Sequence, residues 1–130
     1  QDLLVEGDHV LSTIDAQIGQ LYGLWGVWTG CAVAADGSPF ICTPDQIPVP
    51  DGSDKLVILG SGVNYQQQFS ASRLAEAAQH GMITPDAGVM ATLLASGAIS
   101  LDLQAAHLLT PQYVQRNIGW KKLSEQGRHD

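Results

Sequence analysis

The residues with chemistry to offer are Cys31 and Cys42, four histidines, and thirteen carboxylates. A cysteine hydrolase needs a thiolate, a histidine base and a group that orients the base. His9, His80, His107 and His129 are the available bases, and no local signature surrounds either cysteine. The two cysteines flank a turn, Ala35-Asp36-Gly37-Ser38-Pro39, and in an exported protein such a pair reads as a local disulfide. Closing that short loop would contribute ~2–3 kcal/mol in the chain-entropy model. It would also consume both nucleophiles, whereas free thiols would return them as catalytic candidates.

Metal and cofactor chemistry find no foothold. The histidines are far apart, with no His-x-x-x-His, Cys-x-x-Cys or EF-hand spacing. Gly60-Ser61-Gly62 follows an apolar run but lacks the third glycine and the acid of a dinucleotide fingerprint. The expectation is a protein without metal or cofactor that is not an enzyme. Glu6, Asp8 and Asp15 read as a solvated face, His80 as a helix-end residue favoured by the dipole, and His107 as half-buried.

Two groups of residues could instead meet a partner. Asp45, Asp51 and Asp54 cluster among Pro44, Pro48 and Pro50. Ordinary turn chemistry explains them, and so does an acidic loop stiffened to meet a basic protein. Trp25 and Trp28 fit either core packing or service as interface anchors.

The elements that must position these residues read as helical. From about Asp8 to Ala34, Val10, Leu11, Ile14, Ile18, Leu21, Tyr22, Trp25, Trp28 and Ala32 step by threes and fours, a helix stripe that Asp8 can cap. Gly19, Gly23, Gly26 and Gly30 would let another backbone approach. Residues 16–35 carry no charged residue over a membrane-spanning length, but Gln17, Gln20, Thr29 and the glycines dilute the hydrophobicity, so a buried helix is the better reading. Residues 35–55 read as loop, and Lys55–Leu59 as a short strand or the start of a buried helix. Gly81-Met82-Ile83-Thr84-Pro85-Asp86 recurs as Gly97-Ala98-Ile99-Ser100-Leu101-Asp102, each copy marking one helix end and the next start, with Thr84 or Ser100 as N-cap. Helices are predicted near 70–80, 84–96, 100–109 and 111–118. The fold class expected is all-α: one domain over 1–130, a compact bundle of about five helices with one proline-rich loop and one disulfide, and a frayed 119–130.

The net charge of −7 repels phosphate backbones and excludes nucleic acid as a natural partner. Only 15% of the residues are charged, against ~25% in ordinary soluble proteins. That deficit points to an apolar face buried against a protein partner, basic by charge complementarity, or against a second copy. A start at Gln1-Asp2-Leu3 without methionine is the kind left by a removed export signal, and with the cysteines it points to a periplasmic or secreted protein.

One stretch resembles a known family. Tyr22-Gly23-Leu24-Trp25-Gly26-Val27-Trp28-Thr29-Gly30, then Ile41-Cys42-Thr43-Pro44 with Ile47 and Val49, and Ala71–Ala78 as an Ala-x-x-Leu helix, are similar to the Rap1a/Tai group of immunity proteins. Those are small exported helical proteins that block type VI secretion amidases. The family carries more cysteines, and the repeated half after residue 81 has no counterpart in it. The resemblance implies an exported inhibitor that occludes a cell-wall amidase. The alternatives are a structural or assembly component of a bacterial envelope or secretion apparatus, and a small cysteine-dependent hydrolase.

Overall fold

The computed structural model describes residues 3–52, 54–100, 105–111 and 113–114. Its centre is a six-stranded mixed sheet rather than a helical bundle. β1 (His9–Gln17) and β2 (Gln20–Trp28) form an antiparallel hairpin. β3 (Val33–Ala35) and β4 (Phe40–Cys42) both lie on the outer edge of β2, against Gly26–Trp28 and Leu21–Gly23 respectively. β5 (Leu56–Gly60) runs parallel to β1 on its other side, and β6 (Ala78–His80) runs parallel to β5. A 3-10 helix (Ser61–Gln68) and a short α1 (Ser72–Ala75) make the crossover from β5 to β6. α2 (Ala87–Ala95) follows β6.

The sheet has one closed face and one partly open face, and strand alternation decides which residue joins which. Leu11, Leu21, Trp25, Leu56 and Ile58 point to the closed face. They pack there with Ile47 of the proline loop, Phe69 and Leu74 of the crossover, and the half-buried Phe40 and Tyr65. Each fully buried aliphatic side chain contributes about 1.5–3 kcal/mol by leaving water. Val10, Ser12 and Ile14 of β1, and Tyr22 and Leu24 of β2, alternate onto the opposite face. Val10 is fully buried there, whereas Ile14 remains half exposed.

The helix expected over residues 8–34 is therefore the β1–β2 hairpin. Both faces of these strands carry apolar residues, so any period finds a stripe, and steps of three and four are no evidence for helix there. The hairpin turns on Ile18 and Gly19, both left-handed at φ 54° and 73°, as a two-residue primed turn requires. The all-α expectation fails for that reason, and only α2 lies close to its predicted span. Its N-cap is Asp86, whose carboxylate accepts the Val89 N–H at 2.9 Å; Thr84 lies two residues earlier. The helix expected over 70–80 is α1 followed by β6. Of 100–109, the described part is a single 3-10 turn at Ala106–Leu108, and most of 111–118 and all of 119–130 lie outside the described residues. Lys55–Leu59 is mainly strand β5. No described helix is long and apolar enough to cross a membrane.

The expected disulfide is absent, and both cysteines are free. Cys42 pairs with Leu21 at one end of β2, while Cys31 lies beyond Trp28 at the other. From Leu21 to Trp28, at about 3.3 Å per residue, is ~23 Å, far more than the ~7 Å between Cα atoms that a disulfide can span. The support that a disulfide lent to export goes with it.

Candidate functional site: an apolar groove on the open sheet face

The groove lies over the middle of β1, β2 and β5. Its floor is made by directly opposed pairs of the hairpin, Ser12 with Leu24 and Ile14 with Tyr22, and by Leu59, which pairs with Ser12 from the β5 side. Pro39 closes one end, and Ile83, Thr84 and Pro85, on the way from β6 to α2, form a wall. The cavity is about 400 Å³, open to solvent and almost wholly apolar. No carboxylate, imidazole, thiol or basic side chain lines it. Thr13 reaches it from beneath with its hydroxyl already engaged, donating to Leu59 O at 2.6 Å and accepting from the Gly62 N–H at 3.0 Å. Such a surface can hold apolar side chains and exclude water, and its polar side chains are the hydroxyls of Ser12, Thr13, Tyr22 and Thr84.

Backbone approach fixes the groove's position. At Gly60 (φ 95°) a Cβ would collide with the Thr13 carbonyl, so only glycine lets β5 turn into the crossover against β1. At Gly23 a Cβ would strike the Phe40 ring, which packs against the closed-face core.

At the carboxyl ends of β1 and β5 a second set of polar residues is gathered. Tyr65 Oη donates to Asp15 Oδ1 at 2.8 Å, the same oxygen accepts the Gln17 N–H, and the Asp15 N–H donates to Ser61 Oγ. The Asp15 carboxylate beside the phenol pushes the Tyr65 pKa above its usual value, with smaller help from burial. This cluster braces the hairpin turn, and each of its members is already engaged within it. Among the described residues no group of three or more potential ligands could hold a metal.

The residues proposed from sequence are dispersed. Trp25 is a core residue, 8% exposed, and its indole N–H donates to Pro48 O at 2.7 Å, fastening the proline loop to the closed face. Trp28 ends β2, paired with Val33. Asp45 is exposed in a 3-10 turn, Asp51 is exposed in the loop, and Asp54 meets His9 Nε2 at 3.4 Å. Arg73 donates to the carbonyls of Pro50 and Asp54, tying α1 to this loop. None of these five lines the groove. Of the groove residues, Ile14 and Tyr22 belong to the predicted helix stripe, Leu59 to the predicted strand or helix start, and Leu24 only to the family-like motif. The alternation of Leu11 and Thr13 against Val10, Ser12 and Ile14 is the signal that separates them.

The cysteines do not form a hydrolase site. Burial, and behind it the charge of Asp45, pushes the Cys42 thiol up, opposite to the shift an attacking thiolate needs. Among the described residues no histidine is bonded to either sulfur; Cys31 Sγ meets only Thr29 Oγ1, at 3.6 Å.

No family model matches the chain, and no curated protein matches it. Two solved structures from Pseudomonas aeruginosa share its architecture. One, described as an uncharacterized protein with similarity to peptidase YeaZ, superposes with a TM-score of 0.66 at 18% identity, over 84% of this chain and 50% of that one. The second, YeaZ itself, gives a TM-score of 0.59 at 21% identity, over 71% of this chain and 42% of that one. The fold is YeaZ-like. The chain spans half or less of these YeaZ-like neighbours, and the likeness is one of fold. It overturns the Rap1a/Tai resemblance, because that family is helical and this body is a mixed sheet. Amidase inhibition falls with it, and the envelope-component and cysteine-hydrolase alternatives gain no support.

Proposed function

We propose that this chain is a non-enzymatic, protein-binding lobe of YeaZ-like architecture whose working surface is the groove around Ile14, Tyr22 and Leu24. The observation that carries the reading is the open, almost wholly apolar cavity on a sheet face, lined by no carboxylate, imidazole, thiol or basic side chain. Monomeric proteins rarely leave such concave apolar surface exposed unless it receives something. The ratio of lengths supports the reading, since each YeaZ-like neighbour has at least as much chain again outside the matched part. A partner basic in character suits a net charge of −7.

The test is the Ile14→Arg variant, at a position half exposed and so tolerant of a longer side chain. Proteins that co-purify with the wild-type chain from its own cells should be lost from Ile14→Arg while the circular dichroism spectrum stays unchanged. Undiminished recovery would remove the groove from the interaction. Measurable peptide hydrolysis by the purified chain would favour the peptidase reading that one neighbour's description carries.

A further inference from the structure

We infer that Asp15 is the positioning residue of the groove, holding Ile14 opposite Tyr22 with both side chains on the open face; the inference rests on the groove being a docking surface. β5 ends at Gly60, which pairs with Thr13, so β1 from Ile14 onward runs past it without a β5 partner. An unpaired strand end frays unless other groups take its backbone donors. Side chains of the crossover stand in for the missing strand. The Asp15 N–H donates to Ser61 Oγ at 2.8 Å, and Asp15 Oδ1 accepts from Tyr65 Oη at 2.8 Å. Ser61 and Tyr65 both belong to the 3-10 helix that leaves β5. Thr13 is held from the same side, by Leu59 O and the Gly62 N–H. With Thr13 and Asp15 turned to the crossover, alternation turns Ile14 to the groove.

The same carboxylate fixes the register. Pairing of β1 with β2 is regular from His9 to Asp15 and shifts between Asp15 and Gln17. Asp15 Oδ1 spans that irregularity by accepting the Gln17 N–H at 2.8 Å, with Gln17 left-handed at φ 65°. A slip of one residue would turn the strand over. It would carry Ile14 to the closed face and the Asp15 carboxylate into a groove lined by no carboxylate. Asp15 itself lines no part of the groove and acts through Ile14.

The test uses the full chain with isotope-labelled isoleucine methyls and compares Asp15→Ala with Asp15→Asn, which keeps an oxygen for Tyr65 and Gln17. Wild type and Asp15→Asn should show an NOE between the Ile14 δ-methyl and the Tyr22 ring, and Asp15→Ala should lose it. Amide exchange from Ile14 to Tyr22 should rise about two- to tenfold in Asp15→Ala, as a lost hydrogen bond implies. The Val10 and Ile58 amides should keep their protection. A merely structural role would move all of these amides together, and that result overturns the inference. Tyr65→Phe, which removes one bond and leaves the ring, should raise exchange at the same amides, so the inference stays testable if Asp15→Ala fails to fold. Unchanged exchange in Tyr65→Phe, or an NOE that survives Asp15→Ala, overturns it. Proteins that co-purify with the chain should be depleted by Asp15→Ala and restored by Asp15→Asn. Their loss from Ile14→Arg but not from Asp15→Ala overturns the inference alone. Undiminished recovery with Ile14→Arg removes the docking reading and leaves the spectra of Asp15→Ala as they are.

Discussion

Ile18 is the residue most at odds with its backbone. It is 98% exposed and left-handed at φ 54°, a conformation that costs a β-branched residue about 1–2 kcal/mol. Asn at the same turn position adopts it readily. Ile18→Asn should therefore stabilise the fold by about 1 kcal/mol, read as a raised thermal midpoint, and no gain would mean that the turn is not of the primed type. Two titrating groups give further outcomes. Both thiols should react with Ellman's reagent without prior reduction, the exposed Cys31 well before Cys42, whose thiol is pushed up. Tyr65 is bonded to Asp15 in its protonated form and its pKa is raised, so the bond contributes stability below the usual value of 10.0, and that contribution is lost as pH rises through the folded value. Tyr65→Phe should flatten the alkaline limb of the stability curve; an unchanged limb would place that loss elsewhere.

At the scale of elements, β5 and its exit carry the fold. Ile58 is fully buried at the centre of the core and should cost about 2–5 kcal/mol when cut to alanine. Gly60→Ala combines a left-handed φ with a collision at the Thr13 carbonyl. It should destabilise comparably, by about 2–5 kcal/mol, as read by urea denaturation. The sequence was legible where local signals are unambiguous: the proline-rich character of 35–55, the strand option at Lys55–Leu59, and a helix near 84–96. It was illegible where tertiary burial overrides periodicity. Residues 9–28 build strands with apolar side chains on both faces, so they carry a helical period by accident. Likewise Cys31 and Cys42 are close in sequence, yet the intervening chain runs back along β2 and separates them by its length. The groove was missed because Ile14, Tyr22 and Leu24 become one surface only after β1 and β2 pair.

Among the described residues the sheet has one closed face and one partly open face. α2 reinforces that picture. Its nine residues are apolar or small, none is buried, and Val89 and Met90 are each more than half exposed. On the proposed reading, this uncharged helix and the open groove beside the segment that leads to it are the surfaces a partner would cover. The chain spans half or less of the length of the YeaZ-like neighbours it matches. The measurement that tests the docking reading most directly is photo-cross-linking in the source cells with benzoylphenylalanine at position 14, against the same probe at position 66 on the exposed crossover helix. The account predicts adducts with another polypeptide from position 14 and not from position 66. Equal labelling from the two positions, or none from position 14, would contradict it.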